Sequence, residues 1–404
     1  MSAGIIERKE YLDFLMRHRG KPVIKVVSGI RRSGKSTLFE IYKNALRAEG
    51  VPDDRMISVN FEDIAFEELT DYHKLYEYVC ARLTEGETTY VFLDEVQNAE
   101  HFEKAVDSLY IKDGVDIYIT GSNAYFMSGE LATLLSGRYV ELRMLPLSFA
   151  EFCSVQPGGM TLGEKYERYI TRSSFPYVAA NLTDEADIRE YLQGLYSTIV
   201  LKDVAHRGGI SDLSVLESVI RFVADNIGNR LSPTGIANAM TSAGRKIDGK
   251  TVERYLRALE DSLFVYRANR YNIKGKQLLR LQEKYYLADV AFRFLLLGGR
   301  GLDVGHVLKN AVYLELVRRG YDVFVGQAGR AEVDFVALRG GGCAYFQVSA
   351  SVRDPEVLER ELAPLKSVTD SYPKFLLTLD DDPNGDYNGI MRMNALRFLL
   401  GDPR

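Results

Sequence analysis

Residues 29–37 read GIRRSGKST, which fits G-x-x-x-x-G-K-[ST] with Gly29, Gly34, Lys35 and Ser36 in the required places. Ile30, Arg31, Arg32, Ser33 and Thr37 complete the segment. Glycines let a backbone turn tightly about a polyphosphate, so that successive N–H groups point inward at it. The helix that follows such a loop adds its free N–H groups and the positive end of its dipole. In this arrangement Lys35 reaches the β- and γ-phosphates and Ser36 places a hydroxyl on Mg²⁺. The spacing predicts a nucleoside-triphosphate site.

A second signal lies downstream. In YVFLDE (90–95) four apolar residues run into Asp94 and Glu95. Two carboxylates at the end of a buried strand need a cation or a proton nearby. Asp94 is expected in the Mg²⁺ shell, and Glu95 is expected to orient or deprotonate the attacking water. DIYITGSN (116–123) is another strand ending in polar residues. Asn123, or else Ser122, is placed to hydrogen-bond the γ-phosphate or that water, although an ordinary strand-end cap reads nearly as well. A small-molecule kinase would use the same loop, but the carboxylate pair favours hydrolysis.

The elements that must position these groups are legible around them. VIKVVSG (23–29) is an apolar run with β-branched residues and reads as a buried strand. STLFEIYKNAL (36–46) reads as a helix with Leu38, Phe39, Tyr42 and Leu46 near one face. Strand, Gly-rich loop and helix is the context the motif requires. MISVNFED (56–63) adds a further strand.

The chain has 404 residues, enough for two to four domains. It is 46% hydrophobic and 26% charged, as ordinary globular proteins are. No apolar run is long enough for a transmembrane helix, so no membrane partner is expected. The first twenty residues lack a cleavable signal and read as an amphipathic helix. Cys80, Cys153 and Cys343 are far apart and odd in number, which suits a reducing cytoplasm. A net charge of −5 excludes a general polyanion binder.

The order GIRRSGKST, YVFLDEVQN, ITGSN, LLSGRYVELRMLPLSFAEF resembles the AAA+ ATPases of bacteria and archaea. Within them it is similar to a group whose C-terminal domain is related to PD-(D/E)XK nucleases, and the resemblance covers nearly the whole chain. It implies an α/β fold: a P-loop AAA+ parallel sheet with a helical lid, then a winged-helix domain and a small α/β nuclease-like domain. The cofactors implied are ATP and Mg²⁺. The boundaries are 1–155 for the ATPase core, 156–212 for the lid, 213–290 for the winged helix and 291–404 for the nuclease-like domain. Arg138 stands where such proteins carry an arginine that reaches a neighbouring subunit's nucleotide, which implies a homo-oligomer, with a ring possible. Asn60 stands where many of them hold the catalytic glutamate back until a partner binds. SSFPYV (173–178) replaces a Gly-Gly turn common in the group, so no fine geometry transfers there.

Residues 213–290 show three helical segments and then two strands. In the third helix Val252, Tyr255, Leu256 and Leu259 share one face, opposite Lys250, Arg254 and Arg257. This stretch holds thirteen Lys and Arg against eight Asp and Glu, and the rest of the chain is acidic. DNA in a major groove is one expected partner and an unknown protein the other, since Glu253, Glu260 and Asp261 dilute the basic face. Asp203 and Arg207 read as an i,i+4 surface pair. Near the end, AEVDFVALRGGGCAYFQVSAS reads as a hairpin. Asp334 matches the aspartate of the nuclease core, but Gln347, Val348 and Ser349 stand where an E-x-K triplet belongs. Without those charges no nuclease activity is expected. YPKFLLTLD is expected to be the last core strand and NGIMRMNALRFLLGD a closing helix.

Overall fold

The computed structural model describes residues 6–122, 135, 137–206, 208–298 and 303–402. Backbone contacts divide the chain into two compact units, one of residues 2–146 with 261–263 and one of 147–260 with 264–404.

In the first unit α1 (Lys9–His18) is followed by β1 (Ile24–Gly29), α2 (Lys35–Ala48), β2 (Met56–Asn60), α3 (Tyr72–Cys80) and β3 (Thr89–Asp94). Then come α4 (Phe102–Tyr110), β4 (Val115–Ser122) and β5 (Tyr139–Met144). The strands are parallel, in the order β2-β3-β4-β1-β5. After β1 the chain crosses to the far edge at β2, and such a reversal opens a crevice at the carboxyl ends of the strands. Alternate residues of β1 serve opposite faces. Ile24 and Val26 join Val91, Leu93, Ile117, Ile119 and the α4 residues Phe102 and Val106. Val27 joins Leu38, Phe39 and Tyr42 of α2 and Tyr11 and Leu15 of α1. A parallel strand covered on both faces reads as one apolar run. Within that run Lys25 is also fully buried, and its ammonium pairs with the Asp116 carboxylate.

The second unit opens with α5 (Phe149–Ser154), α6 (Leu162–Thr171), α7 (Pro176–Asn181) and α8 (Glu185–Thr198). Phe149 and Phe152 pack edge-on against Tyr169, with centroids 5.5 and 5.4 Å apart. This stacking groups α5 with the helices after it, so the unit begins at residue 147 rather than at the expected 156. Residues Ile199–His206 form a π-helical segment in which Asp203 is buried. The wider π turn does not keep the i,i+4 alignment of an α-helical surface pair. The expected partner Arg207 lies outside the described residues.

Next come α9 (Leu213–Asp225), β6 (Arg230–Leu231), α10 (Pro233–Ser242) and α11 (Gly249–Asp261), then β7 (Val265–Asn272) and β8 (Gln277–Leu287). On α11 the four apolar residues are buried, while Lys250, Arg254 and Arg257 are exposed. The chain continues through α12 (Ala291–Leu297), α13 (Val304–Arg318), β9 (Asp322–Ala328), β10 (Ala331–Arg339) and β11 (Gly342–Ser349). It ends with α14 (Pro355–Lys366), β12 (Lys374–Thr378), β13 (Gly385–Asp386), β14 (Ile390–Asn394) and α15 (Ala395–Leu399).

Strands β6 to β14 form one sheet in the order β13-β14-β12-β11-β10-β9-β7-β8-β6. β7 is its joint, antiparallel to β8 and parallel to β9 through Arg270–Asn272. The expected boundary at 290/291 therefore crosses a continuous sheet. The expected closing helix is also corrected. Ile390–Asn394 is a strand beside β12, and only Ala395–Leu399 is helical. The side chain of Asn394 accepts from the N–H groups of Leu396 and Arg397, which starts the helix there and not earlier.

Candidate active site

The 29–37 loop leaves the carboxyl end of β1 and enters α2. Gly29 has no room for a side chain, since a Cβ there would lie 2.5 Å from the Met144 carbonyl oxygen. Gly34, the N-cap of α2, has φ of 100°, a conformation that glycine adopts without strain. Arg32 also has a positive φ, of 66°. Ile30 and Ser33 are buried, and Ser33 Oγ has no hydrogen-bond partner among the described residues. Arg31 pairs with Glu62 at 3.3 Å, while Ser36 and Thr37 are exposed. Lys35 is buried, with its Nζ 3.3 Å from the Gly29 carbonyl oxygen and 3.3 Å from Glu95 Oε1.

The two carboxylates have different surroundings. Asp94 ends β3 and Glu95 follows it in a left-handed conformation, φ 56°. The Thr120 hydroxyl donates to the Asp94 carboxylate, and the nearby Ser36 hydroxyl favours its ionised form as well. Burial raises the Asp94 pKa above its ordinary value, and the two hydroxyls only partly offset it. The Glu95 backbone N–H donates to Thr120 Oγ1 at 3.0 Å. Its side chain accepts from Gln97 Nε2 at 2.5 Å. Burial pushes Glu95 up, but the Lys35 ammonium, the Gln97 amide and the Arg31 charge outweigh it and hold the carboxyl below its ordinary pKa.

Lys35, Ser36, Asp94 and Glu95 thus come together at one end of the sheet. Ser36 and Asp94 present oxygen donors side by side, a set that suits a hard divalent cation. The N-terminus of α2, the glycine turn and the orphaned Ser33 hydroxyl fit an anion at the same place. Other expected residues stand elsewhere. Asn60 pairs in register with Asp94, but its side chain accepts from the Glu62 N–H at 2.9 Å, while the Glu95 carboxylate is held by Lys35 and Gln97. Ser122 ends β4 in register with Gly29, and Asn123 lies outside the described residues. Arg138 sits at the opposite end of β1, where its carbonyl accepts from the Ile24 N–H. Its guanidinium lies 5.4 Å from the Tyr110 ring centroid. A strand of six residues separates it from the loop, about 20 Å at ~3.3 Å per residue. Arg138 therefore cannot reach the loop of its own chain.

Thr120 and Gln97 were not singled out from the sequence. Thr120 lies two residues before Ser122 and so on the same face of β4. That spacing was a usable signal. Gln97 follows Glu95 by two residues, and only the turn geometry brings its amide back.

In the second unit Asp334 is buried on β10. The Lys309 ammonium lies 2.7 Å from its Oδ1, and the Val348 N–H donates to Oδ2 at 3.0 Å. The Gln347 side chain accepts from the Asp334 N–H at 3.2 Å and donates to Glu361 at 2.8 Å. Lys284 pairs with Glu332 at 2.7 Å and lies 4.0 Å from Asp334. Ser349 Oγ donates to the Ser351 carbonyl.

A family profile described as an AAA domain matches residues 21–153, and one described as a domain of unknown function matches residues 163–303. The second match runs across residue 290. Among the described residues no helix is long and apolar enough to cross a membrane. A Walker-type ATPase of Pyrococcus abyssi superposes with a TM-score of 0.47 at 17% identity, over 72% of this chain and 95% of that one, too loosely to carry a role across. An uncharacterized protein of Methanocaldococcus jannaschii is 30% identical over 339 residues, 78% of this chain and 71% of that protein. An uncharacterized protein of Haemophilus influenzae is 37% identical over 404 residues, 99% of this chain and 100% of that one. The chain belongs to the family of these two uncharacterized proteins, and its N-terminal part is an AAA domain.

Proposed function

We propose that this protein is a Mg²⁺-dependent ATPase of the AAA+ type that works as an oligomer. The observation that carries the reading is the Lys35–Glu95 pair at the carboxyl end of the sheet, beside the Asp94 carboxylate that Thr120 holds and beneath a glycine turn. When bound, Mg²⁺ would supply charge neutralisation at the β- and γ-phosphates. Ser36 and Asp94 are the residues to hold it. The loop N–H groups and Lys35 bind and orient the phosphates. Glu95, kept ionised, takes the proton of the attacking water. Adenine as the base rests on the AAA resemblance alone.

Arg138 acts on a neighbouring subunit's nucleotide in this reading. Its place at the far end of β1 supports an action in trans, and a head-to-tail contact of that kind generates a ring if it closes. The run of α9, β6, α10, α11 and the β7–β8 hairpin supports a winged helix. The exposed Lys250, Arg254 and Arg257 make DNA the first partner to try and a protein the second. We read residues 291–404 as a nuclease-like fold used for binding, because lysine and glutamine side chains occupy the polar groups around Asp334. A second reading, a slow nucleotide-gated switch, is favoured by the Lys35–Glu95 pair, which nucleotide must open before turnover.

Phosphate release from ATP and Mg²⁺, with and without double-stranded DNA, tests the proposal, with Glu95→Gln as the blank. Release that depends on Glu95 is expected. Release equal to the blank sinks the hydrolase and leaves the switch. Strong stimulation by DNA makes the enzyme DNA-directed, and its absence turns the search to a protein.

A further inference from the structure

The 29–37 loop, β3 and β4 account for how nucleotide and metal would be held, but not for what keeps Glu95 in place once nucleotide arrives. In this structure one carboxylate oxygen of Glu95 faces Lys35 at 3.3 Å and the other accepts from Gln97 at 2.5 Å. The ammonium of Lys35 is the group expected to reach the β- and γ-phosphates of a bound nucleotide. Drawn toward phosphate, it leaves Glu95 with less opposing charge in a site where the side chain is only 12% exposed. A carboxylate released from its ion pair is free to swing unless a second contact holds it.

We infer that Gln97 is the positioning residue of the hydrolytic site: its amide holds Glu95 Oε2 so that Oε1, released by Lys35, is presented to water. The inference rests on the ATPase reading of the same site. Three features support it. Glu95 is fixed in the left-handed region at φ 56°, at the start of the turn that carries Gln97. The turn Val96–Asn98 is closed by the Asn98 N–H donating to the Glu95 carbonyl at 3.1 Å, so Gln97 rides on a short rigid link. The Glu95 N–H is pinned separately by Thr120 at 3.0 Å. Backbone and one carboxylate oxygen are therefore both anchored, and the second oxygen is the one left to react. Asn60, which occupies the neighbouring strand end, spends its carbonyl oxygen on the Glu62 N–H.

A positioning role differs from a merely structural one in what it moves. Gln97→Ala removes the amide donor. Gln97→Glu keeps the shape and puts a second negative charge beside Glu95. Both are to be compared with wild type in the full chain for binding of a fluorescent ATP analogue with Mg²⁺ and for kcat, with thermal melting as the check on folding. The expected result is nucleotide affinity within about threefold of wild type and kcat lower by about 10- to 100-fold, as for other residues that orient a reactive group. Folded variants with wild-type kcat overturn the inference. Equal losses of affinity and kcat also overturn it, since they mark a general loosening of the site. Wild-type turnover that Glu95→Gln leaves unchanged overturns the ATPase reading itself, and the inference falls with it.

Discussion

Lys35 and Glu95 are paired across the site, Nζ to Oε1 3.3 Å, although they come from different elements, the start of α2 and the end of β3. The group expected to bind phosphate and the group expected to activate water neutralise each other. In the proposed ATPase, binding of nucleotide would therefore begin by exchanging one anion for another at Lys35. Glu95→Gln removes the competing charge. We expect Mg²⁺–nucleotide to bind severalfold more tightly, while turnover falls by about 10²- to 10⁴-fold as a general base is lost. Equilibrium binding and single-turnover kinetics on the same preparation check both halves. Looser binding in the variant would contradict the exchange.

Thr120 joins the two carboxylates by donating to Asp94 and accepting from the Glu95 N–H. Thr120→Val removes one of the bonds that offset burial at Asp94, so the Asp94 pKa, already raised, rises further. Metal binding needs the ionised carboxylate. The Mg²⁺ concentration for half-maximal activity should therefore increase, most at mildly acid pH and progressively less as the pH rises. A deficit that does not change with pH would assign Thr120 to packing. The buried Glu95 N–H left without its acceptor should also cost about 1–3 kcal/mol of stability, read by urea denaturation.

Arg138 stands a full strand length from the loop of its own chain, so its proposed action on nucleotide requires a second copy. Arg138→Ala is expected to reduce turnover by about 10³-fold or more. Mixing it with inactive Lys35→Ala should restore activity, because one interface in the mixed assembly then has both an intact loop and an intact arginine. Sedimentation at working concentration reports the assembly. A monomer with full activity in Arg138→Ala refutes the arrangement.

Asp334 relies on Lys309 for its opposing charge inside the second unit. Lys309→Met leaves the aspartate buried beside an apolar side chain and should destabilise that unit by about 3 kcal/mol. Adding Asp334→Asn removes the stranded charge and should return part of the loss. Chemical denaturation of the single and double variants measures both. A single variant as stable as wild type would mean that Lys284, 4.0 Å away, already suffices.

Much of the first unit was legible because buried parallel strands announce themselves as apolar runs, and β1, β3 and β4 carry the reactive residues at their ends. The loop, Asp94 and Glu95 were readable from spacing. What escaped depended on contacts between distant segments. Thr120, Ser122 and Asn123 form a polar row in the sequence, and only the depth of β4 beside β3 shows which hydroxyl meets Asp94. Asn60 lies in register with Asp94, yet a local turn captures its side chain. Ile390–Asn394 was read with Ala395–Leu399 as one helix, because its pairing with β12 comes from outside the segment. Gly326, opposite Tyr271, is crowded from both neighbouring segments: a Cβ there would meet Val336 of β10 at 2.7 Å and Ile273, just past β7, at 3.1 Å. A lone glycine in a strand is compatible with close approach of another backbone but does not say which.

The continuous sheet decides how this protein can be dissected. A cut at residue 290 would not release two self-sufficient modules. It would strip Arg270–Asn272 of the strand beside it and bare the facing side of β9. Each fragment would then carry a raw border of N–H and C=O groups, ready to template the same border on another copy. Fragments divided there should precipitate or cross-associate where the intact chain stays dispersed. A cut near residue 146, where the two compact units divide, spares both sheets.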